Sequence, residues 1–143
     1  MLKAALSSPR PEVTTSLTRG IYRLLVDLGY AVIPEFTLKT GRRADLMGLS
    51  KKGEFVIVEI KSCLADYSVD TKWQDYLDYC DQFYFGVADT FPQDILPPEE
   101  GLIIADEFHG DIREEGPRRA LSPARRKAMT LRFARQAAFR LSP

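Results

Sequence analysis

Three side chains of the 143-residue sequence have the types and spacing to do chemistry together: Asp45, Glu59 and Lys61. The last two close the run Glu54-Phe55-Val56-Ile57-Val58-Glu59-Ile60-Lys61. This run reads as a buried β-strand, because β-branched and aromatic residues fill it and Lys52-Gly53 punctuates its start. Side chains alternate faces along a strand, so Glu59 and Lys61 point the same way, roughly 6–7 Å apart at the usual rise. Val56, Val58 and Ile60 take the opposite, apolar face. Charges at the end of such a strand need partners or a ligand, since desolvating them unpaired is costly. Asp45 lies near the start of the preceding strand, Ala44 to Leu49, and Ser50-Lys51-Lys52-Gly53 makes the tight connection. Antiparallel pairing in that hairpin brings Asp45 and Glu59 to one end of the ladder. Two carboxylates there supply hard oxygen ligands for Mg²⁺ (or Mn²⁺), and the Ile60 carbonyl offers another. A divalent ion so held polarises a phosphoryl oxygen and acidifies a coordinated water. Lys61 would position or deprotonate that water, or stabilise charge on the phosphate. These are the parts of metal-dependent phosphodiester hydrolysis. The plainer readings are a Glu59–Lys61 salt bridge at a sheet edge and an Asp45 ion pair with Arg42 or Arg43.

The elements that must position these groups follow in order. Residues 1–13 read as a loose segment, broken by Ser7-Ser8-Pro9 and Pro11. Thr14-Thr15-Ser16 caps a first helix to about Leu28, with Leu17, Ile21, Leu24, Leu25 and Leu28 as its apolar stripe and Gly29 as its stop. A strand over Tyr30–Leu38 carries Pro34, which marks an edge or a bulge. The catalytic hairpin comes next, then a short connection from Ser62 to Tyr67. Asp70 caps a helix over about Thr71–Asp81 that turns Trp73, Tyr76, Leu77 and Cys80 inward. At this spacing the aromatics Trp73, Tyr76 and Tyr79 are core rather than a base-stacking platform. Strands over Gln82–Ala88 and Gly101–Asp106 follow, and Phe108–Arg113 extends or pairs with the second. Ser122-Pro123 starts a closing helix to about Leu141, with Ala124, Ala128, Leu131, Ala134, Ala138 and Phe139 on its buried side. The order predicts an α/β fold: a mixed sheet flanked by helices.

The length suits one domain over 1–143, and 45% hydrophobic with 28% charged residues is ordinary for a globular protein. No run nears the ~20 apolar residues of a membrane span and no leader pattern opens the chain, so a cytoplasmic protein without a membrane partner is expected. Two cysteines (Cys63, Cys80) and one histidine (His109) exclude a structural zinc site of the usual kind. Reduced thiols agree with that compartment. His109, beside Gly110, reads as a loop residue. The formal net charge is zero, but it is unevenly spread. Between Asp66 and Asp111 the only Lys or Arg is Lys72, whereas after Arg113 only Glu114 and Glu115 oppose a series of arginines. Such a basic tail, with Arg125 and Arg126 at the head of its helix, suits a phosphate backbone or else simply a solvated face. Arg42 and Arg43 flank the expected cleft and would add phosphate contacts without sequence specificity.

Gly41-Arg42-Arg43-Ala44-Asp45-Leu46 followed by Phe55-Val56-Ile57-Val58-Glu59-Ile60-Lys61-Ser62 resembles the active-site hairpin of the PD-(D/E)XK nuclease superfamily, the restriction-endonuclease-like fold. With the Trp73-Gln74-Asp75-Tyr76-Leu77 segment, it is similar to the MmcB-type DNA repair proteins, most clearly over Leu17 to Val87. The resemblance implies an αβββαβ core, to which the basic C-terminal helix over 122–141 read above is added, Mg²⁺ or Mn²⁺ ligation by Asp45 and Glu59, and a catalytic Lys61. It further implies an additional acid, for which Glu35 is the candidate by position, and auxiliary polar residues at Lys72 and Gln74. Ala44 stands where the superfamily's name has proline.

The expected activity is therefore a metal-dependent deoxyribonuclease serving DNA repair. The expected partners are DNA of unspecified form, other repair proteins, and a second copy of the chain if both strands are to be cut. Two alternatives stand beside it: a DNA-binding module that keeps a nuclease scaffold without turnover, and an adaptor that docks through the acidic loop Asp94–Glu100 or the basic helix.

Overall fold

The computed structural model describes residues 11–68 and 72–142. Its elements are α1 (Pro11–Asp27), β1 (Ala31–Thr37), β2 (Arg43–Leu49), β3 (Phe55–Ile60), α2 (Leu64–Ser68), a 3-10 segment (Trp73–Tyr79), β4 (Gln82–Val87), β5 (Gly101–Ala105), β6 (Gly110–Glu114) and α3 (Pro123–Arg140). A short 3-10 turn, Gln93–Ile95, lies between β4 and β5. All strands join one sheet in the order β1-β2-β3-β4-β5-β6. β1 to β3 form an antiparallel meander, β3, β4 and β5 run parallel, and β6 returns antiparallel on β5. This is the expected α/β architecture: a mixed sheet flanked by helices around an αβββαβ core, with the basic helix last.

Each face of the sheet carries its own core. On one side α1 lays Leu17, Ile21 and Leu25 over Leu46, Val56, Val58, Ile60 and Ile103, all buried. This is the apolar side of β3 that its alternation dictates. On the other side Phe36, Met47, Phe55, Ile57, Phe83 and Phe85 pack under Trp73, Tyr76, Met129 and Phe133. β3 is consequently buried along its whole length.

The helix ends follow local chemistry. Pro11 begins α1 rather than preventing it, because proline at a first helical position lacks only a hydrogen that has no partner there. Of the segment expected to be loose over residues 1–13, residues 11–13 belong to α1, and residues 1–10 lie outside the described residues. Gly29, at φ 94°, closes α1 in a Schellman pattern: its N–H donates to the Val26 carbonyl, and that of Tyr30 donates to Leu25, both at 2.9 Å. Leu28 lies between the last helical residue, Asp27, and this glycine and is exposed, so the stripe ends at Leu25.

Two expectations are corrected. The helix expected over Thr71–Asp81 is a 3-10 segment, Trp73–Tyr79, and a short α-helix, Leu64–Ser68, occupies the expected connection. Trp73, Tyr76 and Tyr79 recur every third residue, the repeat that a 3-10 helix eclipses and an α-helix does not. Asp70 and Thr71, the expected cap, lie outside the described residues. The second correction concerns α3. The side expected inward faces out: Leu131 is 58% and Phe139 66% exposed, and Ala124, Ala128, Ala134 and Ala138 are exposed as well. The helix instead buries Met129 and Phe133, the latter between Phe36 and Phe55 at ring-centroid distances of 5.9 and 6.1 Å. Polar anchors set this rotation. Arg126 grips Asp81 and the Gly53 carbonyl. Gln136 brackets Thr37, accepting from its N–H at 3.0 Å and donating to its carbonyl. Arg140 donates to the carbonyls of Pro34 and Glu35. Residues 126, 129, 133, 136 and 140 form one helical stripe, and alanines gain too little on burial to compete with it. Gln136 also covers the open edge of β1, where Pro34 sits.

Candidate active site

The site forms where β2 and β3 part. Ser50-Lys51-Lys52-Gly53 turns the hairpin with Gly53 at φ 81° and its N–H on the Ser50 carbonyl at 3.0 Å. This fixes Leu49 opposite Phe55 and, at the far end, Leu46 opposite Val58. Beyond that pair the ladder stops, and the side chains of the next residues take over the hydrogen bonding. The Asp45 N–H donates to Glu59 Oε1 at 3.0 Å, and the Ile60 N–H donates to Asp45 Oδ2 at 2.8 Å. Each carboxylate thus rests on the backbone of the other strand. Register makes this inevitable once the turn is set, and a one-residue slip would send Glu59 to the α1 side.

Neighbouring β1 bends at the same level. Pro34 pairs with Leu46 and Phe36 with Ala44, while Glu35 between them has φ 49° and is absent from the ladder. A non-glycine residue in the left-handed region is strained, and such strain collects at functional sites. Ile33 and Phe36, three residues apart, therefore share one core, as do Ala44 and Met47. The Arg140 bonds to the carbonyls of Pro34 and Glu35 hold the bend.

Glu59 is 6% and Lys61 5% exposed, in a protein whose other charged groups lie mostly at the surface. Lys61 is buried, not turned toward bulk solvent, and its N–H donates to the Gly86 carbonyl of β4 at 3.0 Å. Tyr76, from the 3-10 segment, donates its hydroxyl to the Arg43 carbonyl at 3.1 Å and carries the Arg42 guanidinium over its ring at 4.7 Å. Burial raises the Tyr76 pKa, the charge of Glu59 raises it further, and the Arg42 guanidinium offsets part of the rise. The negative potential of the carboxylates thus reaches the ring.

The other expected site residues are dispersed. Glu35 projects outward, with its side chain 72% exposed and 3.9 Å from Arg43. Arg42 sits 3.8 Å from Asp75. Lys72 and Gln74 are exposed. Arg125 lies over the Tyr79 ring at 4.5 Å and donates to the Asp78 carbonyl. Arg126 is committed to Asp81, as above, and so serves the fold. Sequence reasoning missed Tyr76 as the support of Arg42 and Asp81 as the latch of α3. The third-residue aromatic spacing was the available signal for the first, and nothing local marked the second.

The donor set is two carboxylates and a backbone carbonyl, all hard oxygens. Among the described residues no group of three or more His, Cys, Asp or Glu side chains is gathered so as to hold a metal ion. Such a set fits Mg²⁺, which binds through one or two carboxylates and keeps several waters, and does not fit an all-protein cage or a soft metal. Cys80 is not a rival nucleophile, since burial pushes its thiol pKa well up.

A mixed six-stranded sheet flanked by helices, with two carboxylates paired at a hairpin end, defines an α/β protein with an αβββαβ core. The chain belongs to the family of MmcB-like DNA repair proteins, whose model matches residues 2–143. A solved structure of SPO1766 from Silicibacter pomeroyi, a protein of unknown function, is similar at 42% identity and a TM-score of 0.87, covering 94% of this chain and 90% of that one. No curated protein matches. Among the described residues no helix is long and apolar enough to cross a membrane.

Proposed function

We propose that this DNA repair protein is a metal-dependent deoxyribonuclease of the PD-(D/E)XK type. The observation that supports it most is the reciprocal pair at the hairpin end, with the Asp45 carboxylate on the Ile60 N–H and the Glu59 carboxylate on the Asp45 N–H. An ordinary salt bridge needs no such arrangement. Backbone donors hold both carboxylates at fixed positions, so they need no reorganisation when charge develops. Asp45, Glu59 and the Ile60 carbonyl would hold Mg²⁺ or Mn²⁺, which when bound polarises the phosphoryl oxygen and activates water. Lys61, buried and two residues past Glu59 in the chain, stabilises charge at the phosphate under attack or takes the proton of the attacking water. Arg42, seated over the Tyr76 ring, and Arg43 meet flanking phosphates and give affinity rather than sequence preference.

The test is Glu59→Gln. The amide carbonyl can still accept from the Asp45 N–H, so the fold persists, while a negative charge and a metal-binding oxygen are lost. Mg²⁺-dependent cleavage of plasmid and oligonucleotide DNA should fall by at least about 10²-fold, the scale on which single charge-stabilising groups act. Unchanged cleavage would overturn the proposal. A second reading, a DNA-binding module without turnover, draws on the outward position of Glu35, which leaves two acids rather than three at the site. Calorimetry with Mn²⁺ separates the two: metal uptake lost in Glu59→Gln supports the nuclease, and salt-sensitive DNA binding without metal uptake supports the module.

A further inference from the structure

The outward rotation of α3 leaves a cavity of about 1030 Å³ between that helix, the β1–β2 turn and the end of the 3-10 segment. Lys39, Arg125, Arg132 and Arg135 line it, and no acidic residue does, although acids and bases are equal in number in the chain. Its floor includes the exposed Leu131 and Phe139. Two of its guanidiniums lie over rings that also line it, Arg125 on Tyr79 at 4.5 Å and Arg135 on Phe139 at 5.3 Å. A third such pair, Arg42 on Tyr76, lies outside the cavity lining: Tyr76 stands one 3-10 turn before Tyr79, and its hydroxyl donates to the carbonyl of Arg43 on the strand that carries Asp45.

We infer that this groove binds a single-stranded flank of the DNA whose phosphodiester is cut at the Asp45–Glu59 site. Charge complementarity names a polyanion. The mixture of apolar floor and cationic walls narrows it to a single strand, because a duplex turns phosphates outward and hides its bases, whereas a single strand offers both. Arginines already stacked on rings lose little freedom on binding and leave a guanidinium or ring face for a base. The inference deepens the nuclease reading and rests on it for the identity of the polymer. It implies a substrate with an unpaired segment (a gap, flap or overhang) rather than an intact duplex.

Binding in EDTA tests it apart from cleavage. Fluorescence anisotropy is measured on the full chain with labelled oligo(dT) of about 12 nucleotides, inside the ~4–16 that single-strand grooves cover, and with a duplex of equal length. Oligo(dT) should bind at least about tenfold tighter, the worth of roughly one stacked base. In Arg132→Glu/Arg135→Glu the slope of log affinity on log salt should flatten by at least about 1.4, at about 0.7 per single-strand phosphate lost. Phe139→Ala should weaken oligo(dT) about tenfold with little change of slope. A circular dichroism melt confirms that each variant is folded, and Arg132→Lys/Arg135→Lys should restore the slope. Duplex bound as tightly as oligo(dT), oligo(rU) preferred to oligo(dT), or an unchanged slope in the folded charge-reversed variant would each overturn the inference. Intact single-strand preference without Mg²⁺-dependent cleavage would support the groove and sink only the nuclease reading.

Discussion

Replacing Asp81 by alanine should cost about a quarter or more of the protein's stability, though the residue lies outside the candidate site. Its side chain is 2% exposed. Oδ2 accepts from the Phe55 N–H at 2.7 Å and Arg126 Nη1 at 2.9 Å, and Oδ1 accepts from Arg126 Nη2 at 2.6 Å and the Leu121 N–H at 3.0 Å. One carboxylate thus ties together the start of β3, the approach to α3 and α3 itself. Breaking a buried pair from one side costs about 3–5 kcal/mol, and each orphaned buried N–H about 1–3. Arg126 is 29% exposed and regains some water, and the terms share one group, so their sum is an upper limit. We expect about 4 kcal/mol, against the ~5–15 that hold a typical domain. In urea unfolding, with an m value near ~2 kcal/mol/M, the midpoint drops by about 2 M. Adding Arg126→Ala should cost little more, because the guanidinium is then no longer left without its carboxylate. The pH dependence gives an independent check. Burial raises the Asp81 pKa, but hydrogen bonds from Arg126, Phe55 and Leu121 outweigh it and leave the carboxyl below its usual value. A depressed folded pKa means that the contribution is complete above the unfolded value of ~3.9 and fades as pH falls through the lower folded value. The gap between the native protein and the variant should therefore be full at neutral pH and close in acid. A midpoint shift equivalent to less than about 1 kcal/mol, or a gap constant down to low pH, would refute the reasoning.

Gly20→Ala should destabilise by about 2 kcal/mol through overpacking, since a Cβ there overlaps the Asp106 carbonyl and stands 2.8 Å from that of His109. A melting temperature lowered by about 4–8 °C checks it, and an unchanged one would mean that the β5–β6 turn yields more freely than backbone usually does. Lys61→Met keeps the buried aliphatic stem and removes the ammonium. Mg²⁺-dependent cleavage per folded molecule should fall by about 10²–10⁴-fold, and a loss under twofold would remove Lys61 from the chemistry.

The class of the fold, and the meeting of Asp45 with Glu59 at one hairpin end, were legible in the residue pattern. β3 was legible because its apolar run is continuous, and its alternation already separated Glu59 from Val58 and Ile60. The pairing of Asp45 with Glu59 followed from the length of one turn, and hairpin register is local information. What lay between distant segments was not legible. The facing of α3 depended on Asp81 and Thr37, which are remote in the chain from Arg126 and Gln136, and its alanines gave a pattern too weak to oppose those anchors. The outward turn of Glu35 likewise arose from a backbone bend held by Arg140, more than a hundred residues away. Hydrophobic periodicity reports which residues avoid water. Only tertiary contacts decide which of several acceptable faces they use, and here that choice both opened the basic groove and left two carboxylates at the hairpin end.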